Sequence, residues 1–195
     1  MHNKKQKKRL LKIGMETKNR EYNLNGHKLV LRTVQVEDAQ TLLPYIPKFY
    51  EESKYLIKEP EEVHTTLEDE IDWIKEHLES DNSLLIMAEL DGKYVGDGSF
   101  EGTTLSRQKH RVSLGIYLLK EYTNMGIGTL LMETLIDEAK KTDIEQIELI
   151  CINNNHIAMH VYEKLGFKVT GTLPDYNKYK DGSYVNASYM VLKLK

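Results

Sequence analysis

Two glycines, Gly126 and Gly128, stand where an apolar strand-like run, Val112 to Leu119, gives way to an amphipathic helical pattern, Thr129 to Lys141. Gly-x-Gly at a strand-to-helix junction lets the backbone turn sharply and brings several N–H groups close together. At the positive end of a helix those groups suit a phosphate or pyrophosphate. A tight turn that happens to use glycine explains the pair equally well. His156 and His160 lie four apart on a later helical pattern, a spacing that can bind metal. No acid or cysteine joins them at a supporting offset, so they read as surface or core histidines and no metal is expected. Cys151, the single cysteine, ends an apolar run and reads as a buried thiol without the paired base an acyl-cysteine needs.

A second segment changes the weight of the first. Asn155-His-Ile-Ala158-Met-His-Val-Tyr162-Glu-Lys-Leu-Gly166-Phe167 follows the Gly-x-Gly helix. Together the two segments resemble the GNAT superfamily of acyl-CoA-dependent N-acetyltransferases. That family's first motif reads Arg/Gln-x-x-Gly-x-Gly/Ala, and its second reads Asn-x-x-Ala-x-x-x-Tyr-x-x-x-Gly-Phe. The second is complete here. In the first, Thr123 stands where the family usually has Arg or Gln, which removes one side-chain contribution and leaves the backbone cradle. The resemblance runs from about Leu29 to Leu194.

The resemblance implies an N-acetyltransferase that moves an acetyl group from acetyl-CoA to a primary amine by direct attack in a ternary complex. A protein N-terminus, a polyamine or another small amine would be the acceptor. The cradle for the CoA pyrophosphate falls on Thr123, Asn124, Met125, Gly126, Ile127, Gly128 and Thr129. In the family the strand before this turn splays from its neighbour, and its freed backbone pairs with the pantetheine arm; here that segment is Ile116, Tyr117, Leu118 and Leu119. Tyr162 becomes the general acid, since a phenol of pKa ~10 can protonate a departing thiolate of pKa roughly 8.5. Without the motif it reads as a packed core tyrosine. Asn155 either bonds the pantetheine amides or caps its helix, and Ala158 is small because cofactor or sheet lies close. The general base stays open. Ser113-Leu114-Gly115 occupies the place of a frequent Glu-Leu-Gly, and Glu101, Glu59, a water held by Ser113 or no dedicated base are the alternatives. The departures at Thr123 and Ser113 also keep a second reading in view, a CoA-binding module that has lost catalysis and acts through partners.

The elements that must position these residues read as one mixed α/β domain. Lys28 to Thr33 is a first strand preceded by a turn at Asn25-Gly26. A helix from Glu37 is interrupted or ended by Pro44 and Pro47. Thr65-x-x-Glu68 is a capping box for a helix carrying Leu67, Ile71, Ile74 and Leu78, with Trp73 on its flank. Ser83–Leu90 and Tyr94–Glu101 form a hairpin about Asp91-Gly92, with Gly96 and Gly98 marking a bend or close packing. His110–Leu119 and Ile147–Ile152 are strands on either side of the Gly-x-Gly helix. His156–Leu165 is a helix, and Phe167–Leu173 and Tyr184–Leu192 pair at the end. This order fits a largely antiparallel sheet with one parallel crossover, which is also the family's arrangement. Tyr176, Tyr179, Tyr184 and Tyr189 suit an acceptor pocket or a homodimer surface as well as an ordinary hairpin.

Composition sets the outer bounds. A chain of 195 residues suits one domain with a sizeable core, and no apolar run approaches a membrane span. The single cysteine and the lack of a secretory pattern point to a reducing cytoplasm. Residues 1–20 read as a basic, disordered extension and 21–195 as the domain, with Met15 a second candidate start. Lys4, Lys5, Lys7, Lys8, Arg9 and Lys12 lie in that extension; without them 21 basic residues face 30 acidic ones, a net of −9. An acidic body argues against nucleic acid as the main partner and favours cationic amines by long-range attraction.

Overall fold

A computed structural model describes residues 14–195. Eight strands form one sheet in the order β1-β2-β3-β4-β5-β6-β8-β7. They are β1 Arg20–Leu24, β2 His27–Thr33, β3 Leu84–Leu90, β4 Lys93–Gly102, β5 Arg111–Leu118, β6 Gln146–Ile152, β7 Lys168–Lys178 and β8 Tyr184–Lys193. Every pairing is antiparallel except β5 with β6. Parallel neighbours need a crossover, and α4, Ile127–Lys140, supplies it. This is the mixed, largely antiparallel α/β domain expected from the order of elements.

Helices cover both faces. Leu131, Leu135 and Ala139 of α4 pack with Phe100, Val112, Ile147 and Leu149 of the sheet, and α5, His156–Lys164, adds Ala158 and Tyr162 to the edge of that core. On the other face α1 Ala39–Leu42, α2 Tyr45–Glu52 and α3 Leu67–Glu79 bring Leu42, Phe49 and Ile74 onto Leu85, Met87 and Tyr94. Pro44 separates α1 from α2, while Pro47 sits in the first turn of α2, where its missing N–H has no helical acceptor to lose.

Several boundaries differ from the sequence expectation. The Asn25-Gly26 turn joins two strands: both residues have positive φ, 52° and 92°, so β1 precedes β2 in a tight hairpin. The capping box is Thr66 and Asp69, one residue after the expected pair; Thr66 Oγ1 accepts from the Asp69 N–H at 3.2 Å and the Asp69 carboxylate accepts from the Thr66 N–H at 2.8 Å. Residues 14–20, placed in the extension by composition, are tied to the domain. The Gly14 N–H donates to the Leu78 carbonyl at 2.9 Å, and buried Thr17 donates to Glu138 at 2.8 Å. Arg20 reaches Asp137 and Glu138 at 3.0 and 2.9 Å. Lys4, Lys5, Lys7, Lys8, Arg9 and Lys12 lie outside the described residues.

Candidate active site

The turn before α4 takes the shape a strand-to-helix anion site requires. Asn124 and Gly126 both have positive φ, 62° and 85°, and Gly126 is the N-cap of the helix. Asparagine tolerates that region and glycine adopts it without strain. No side chain caps α4, so the first N–H groups, at Ile127, Gly128 and Thr129, have no acceptor within the helix. Gly128 lies against Ile116 of β5: a Cβ there would stand 3.7 Å from Ile116 Cδ1. Met125 packs its side chain into the core. Thr123 turns its hydroxyl back to the Lys120 carbonyl at 2.8 Å, so it closes the turn rather than reaching outward as a longer side chain would.

The strand pair beside this turn opens. β5 and β6 are in register only at Arg111–Gln146, Val112–Ile147 and Ser113–Glu148. Beyond Ser113, β6 continues paired with β8 alone. Which β5 groups face the opening follows from one hydrogen bond. The Leu119 N–H donates to the Val95 carbonyl of β4 at 3.0 Å. Alternation along the strand then turns the backbones of Tyr117, Gly115 and Ser113 toward β4, and those of Leu118, Ile116 and Leu114 toward the gap. Of the expected backbone partners, Ile116 and Leu118 therefore face the opening, while Tyr117 and Leu119 direct their backbone groups to β4.

The second motif borders the same region. Asn155 caps α5, its Oδ1 accepting from the Ala158 N–H at 3.3 Å. Ala158 and Tyr162 pack against the core that also receives Ile116, Leu118 and Met125. The Tyr162 ring tilts against Phe167 at 5.9 Å between centroids. Burial, with a smaller push from the neighbouring Cys151, holds its phenol well above the usual tyrosine range, so it stays protonated at neutral pH. Cys151 is buried and its thiol is pushed up to about 11 by desolvation, which fits an inert thiol.

On the opposite face of the sheet a cleft of about 480 Å³ reaches the same strand. Its floor is Asp97, Ser99 and Glu101 of β4, set in register against Tyr117, Gly115 and Ser113 of β5. Phe49 and Tyr50 of α2 and Glu70 and Trp73 of α3 form its walls, and Lys58 lies at its edge. Asp97 and Glu70 are buried, and desolvation raises both carboxyls, Asp97 to about 7. The Tyr94 hydroxyl donates to Asp97. Glu101 is half exposed and stands at an ion-pair distance of 3.4 Å from His77 Nε2, and the neighbouring imidazole holds the Glu101 carboxyl below the ordinary range. Burial works against the charge on His77, but Glu101 and the Trp73 carbonyl, 2.9 Å from Nδ1, outweigh it and raise the imidazole. A larger cavity, about 1230 Å³, opens beyond His77 and Glu101 and touches none of the two motifs.

The structure thus gathers Ile116, Leu118, the Gly126 turn, Ala158 and Tyr162 around one opening, with Glu101 and Ser113 in the cleft behind it. Glu59 is elsewhere, heading a short turn and paired with Lys180 at 3.2 Å outside this cleft. Sequence reading missed Asp97, Glu70, Tyr94 and His77. One signal for Asp97 was present: a carboxylate between Gly96 and Gly98 inside an otherwise apolar strand pattern. His156 and His160 are exposed on α5, and among the described residues no group of three or more His, Cys, Asp or Glu is placed to hold a metal. No helix among the described residues is long and apolar enough to cross a membrane.

Comparison with known proteins gives the same outline. The sequence profile described as the acetyltransferase (GNAT) family matches residues 46–167. The L-amino acid N-acetyltransferase AaaT of Escherichia coli strain K12 is 31% identical over 106 residues, which span 54% of this chain and 65% of that protein. An acetyltransferase of the GNAT family from Streptococcus pneumoniae superposes with a TM-score of 0.81 at 25% identity, covering 85% of this chain and 99% of that one. The yncA protein of Salmonella typhimurium, solved with its cofactor acetyl-CoA, superposes with a TM-score of 0.76 at 18% identity over 86% of this chain and 94% of the other.

Proposed function

Because the chain belongs to the acetyltransferase (GNAT) family, we propose that it transfers an acetyl group from acetyl-CoA to a primary amine. The observation that carries this reading is the junction of two features at one point. The helix N-terminus at Gly126 offers unshared N–H groups, and the β5–β6 gap beside it exposes the backbones of Ile116 and Leu118. A diphosphate linked to an extended amide-bearing arm matches that pair of features, the phosphates at the helix end and the arm lying along β5 as an added strand. Acetyl-CoA supplies the activated acetyl thioester.

The residues of the chain divide the remaining work. Gly126 through Thr129 hold the phosphates. Ile116 and Leu118 orient the arm, and one of their N–H groups polarises the thioester carbonyl. Gly115, with no side chain, leaves the strand thin between the gap and the acidic cleft, so an amine entering from the cleft meets the thioester across β5. Tyr162 donates its proton to the departing thiolate. Approximation of the two substrates in a ternary complex supplies much of the acceleration. Asp69, Glu70, Asp97 and Glu101 outnumber Lys58 along the cleft, which favours a positively charged acceptor.

Calorimetric titration with acetyl-CoA, with free acetate as the control, tests the reading. Saturable binding near one per chain is expected, followed by CoA release with at least one member of a panel of spermidine, an alanine-terminated peptide and L-amino acids. A folded chain that does not bind acetyl-CoA overturns it.

A further inference from the structure

The cleft floor carries carboxylates that are not equivalent. Asp69 is occupied at the head of α3, where its carboxylate accepts from both the backbone and hydroxyl of Thr66. Glu101 is paired with His77 and held below the usual carboxylate range, which makes it a poor acceptor of a proton. Glu70 is buried on α3, across the cleft from the strand that would hold the thioester. Asp97 lies on β4 itself, directly opposite Tyr117, and the next residue, Gly98, pairs with Ile116. Its side chain shares the cleft face with Gly115, where no Cβ blocks the way to the gap.

A bulge creates this placement. Ala88 pairs with Gly96 and Glu89 with Tyr94, so Val95 is the extra residue in β4. With strict alternation Tyr94 and Asp97 would point to opposite faces. The inserted residue puts both on the cleft side, where the Tyr94 hydroxyl bonds the Asp97 carboxylate. Bulges of this kind re-aim side chains beside active sites. The bonded phenol fixes the carboxylate and leaves its other oxygen without a hydrogen-bond partner among the described residues.

We infer that Asp97 is the general base of the transfer, the group that takes a proton from the acceptor ammonium. This rests on the acetyltransferase reading. The ammonium gives one proton to the Asp97 carboxylate. The freed nitrogen lone pair forms a C–N bond to the acetyl carbon as the C–S bond breaks. The thiolate takes the Tyr162 proton, and the phenolate is restored by the second proton the nitrogen sheds. The products are the amide and CoA thiol, with one proton passing from Asp97 to solvent. The groups facing Asp97 are Glu70 and His77 from α3, Tyr94 from β4 and Tyr117 from β5, with Tyr45 of α2 packed behind Tyr94. Burial and the Glu70 charge raise Asp97, while Tyr94 and His77 oppose them, leaving it near 7, where a base is both available and effective.

The test is kcat/KM against pH for the amine of the panel that the wild-type chain acetylates fastest, with acetyl-CoA affinity measured alongside. The wild type should lose rate below an acid limb near pH 7. Asp97→Asn should fall by about 100-fold or more and lose that limb while binding acetyl-CoA as before. Tyr94→Phe removes the hydrogen bond that stabilises the charged carboxylate, so its limb should move to higher pH. If Asp97→Asn keeps both rate and limb, or if Tyr94→Phe leaves the limb in place, Asp97 is not the base and the acetyltransferase reading stands untouched. A wild-type chain that acetylates nothing in the panel overturns both.

Discussion

Replacing Gly126 by alanine separates the anion cradle from ordinary turn geometry. Gly126 has φ of +85° and ψ of −4°, and an added Cβ meets no protein atom within 4 Å. The protein therefore feels only backbone strain, about 1–2 kcal/mol for an L-residue in the left-handed region. For a domain of this size that lowers Tm by about 2–8 °C. Gly26 is the matched control: φ is +92°, a Cβ there also meets nothing within 4 Å, and the residue lies in the β1–β2 hairpin, away from the site. Gly26→Ala should lower Tm by a similar amount.

The two variants should part in affinity for acetyl-CoA. At Gly126 the methyl group enters the space beside the α4 N–H groups, and loss of one charge-assisted hydrogen bond removes about 1.5–3 kcal/mol. That weakens Kd by roughly 10- to 150-fold. Gly26→Ala should bind like the wild type. Thermal melts and calorimetric titrations of the three chains give both quantities. Unchanged affinity in Gly126→Ala refutes the cradle at this turn, and an equal loss in Gly26→Ala shows that affinity follows stability alone.

Three further outcomes are expected. Tyr162→Phe should reduce kcat by about 100-fold with little change in acetyl-CoA affinity, as the proposed role of its hydroxyl on the leaving thiolate requires; equal kcat removes the acid role. Gly96→Ala should destabilise the fold by about 3 kcal/mol, since a Cβ there is driven into the Tyr117 carbonyl and to 2.9 Å from Leu118 Cδ1; a denaturant midpoint within error of wild type contradicts the tight β4–β5 packing. The folded Asp97 carboxyl lies near 7 against an ordinary 3.8, so its stabilising contribution is complete below 3.8 and is lost as pH rises through 7. Asp97→Asn, which does not titrate, should therefore gain on the order of 3 kcal/mol over the wild type between pH 5 and pH 8; a stability difference that stays flat across that window shows that the carboxyl is not raised.

The sequence announced this fold wherever local chemistry and long-range packing agree. Apolar runs marked β3 and β5, Asp91-Gly92 marked the β3–β4 hairpin, and Gly126-x-Gly128 marked the crossover, because each signal acts within a few residues. β1 was missed although Asn25-Gly26 is a hairpin turn: Arg20–Leu24 is an edge strand that buries none of its residues fully, so the turn was visible and its second arm was not. Residues 14–20 read as tail because lysine-rich chain precedes them, yet their partners Leu78, Glu138 and Asp137 lie far along the sequence.

The motif residues of the site were legible by resemblance, but their division of labour was not. One hydrogen bond, from Leu119 to Val95, decides which of Ile116, Tyr117, Leu118 and Leu119 face the gap, and no feature of four apolar residues encodes it. Asp97 was hidden for a sharper reason. Face assignment from sequence assumes a period of two, and a single inserted residue reverses every assignment on one side of it. Val95 is that residue. Counting by twos from Tyr94 sends Asp97 to the apolar face occupied by Leu131 and Leu135, where a carboxylate makes no sense. The contradiction itself is the trace the bulge leaves in the sequence: an acid between two glycines, on the wrong face of a buried strand, marks a register shift that turns the acid toward the cleft.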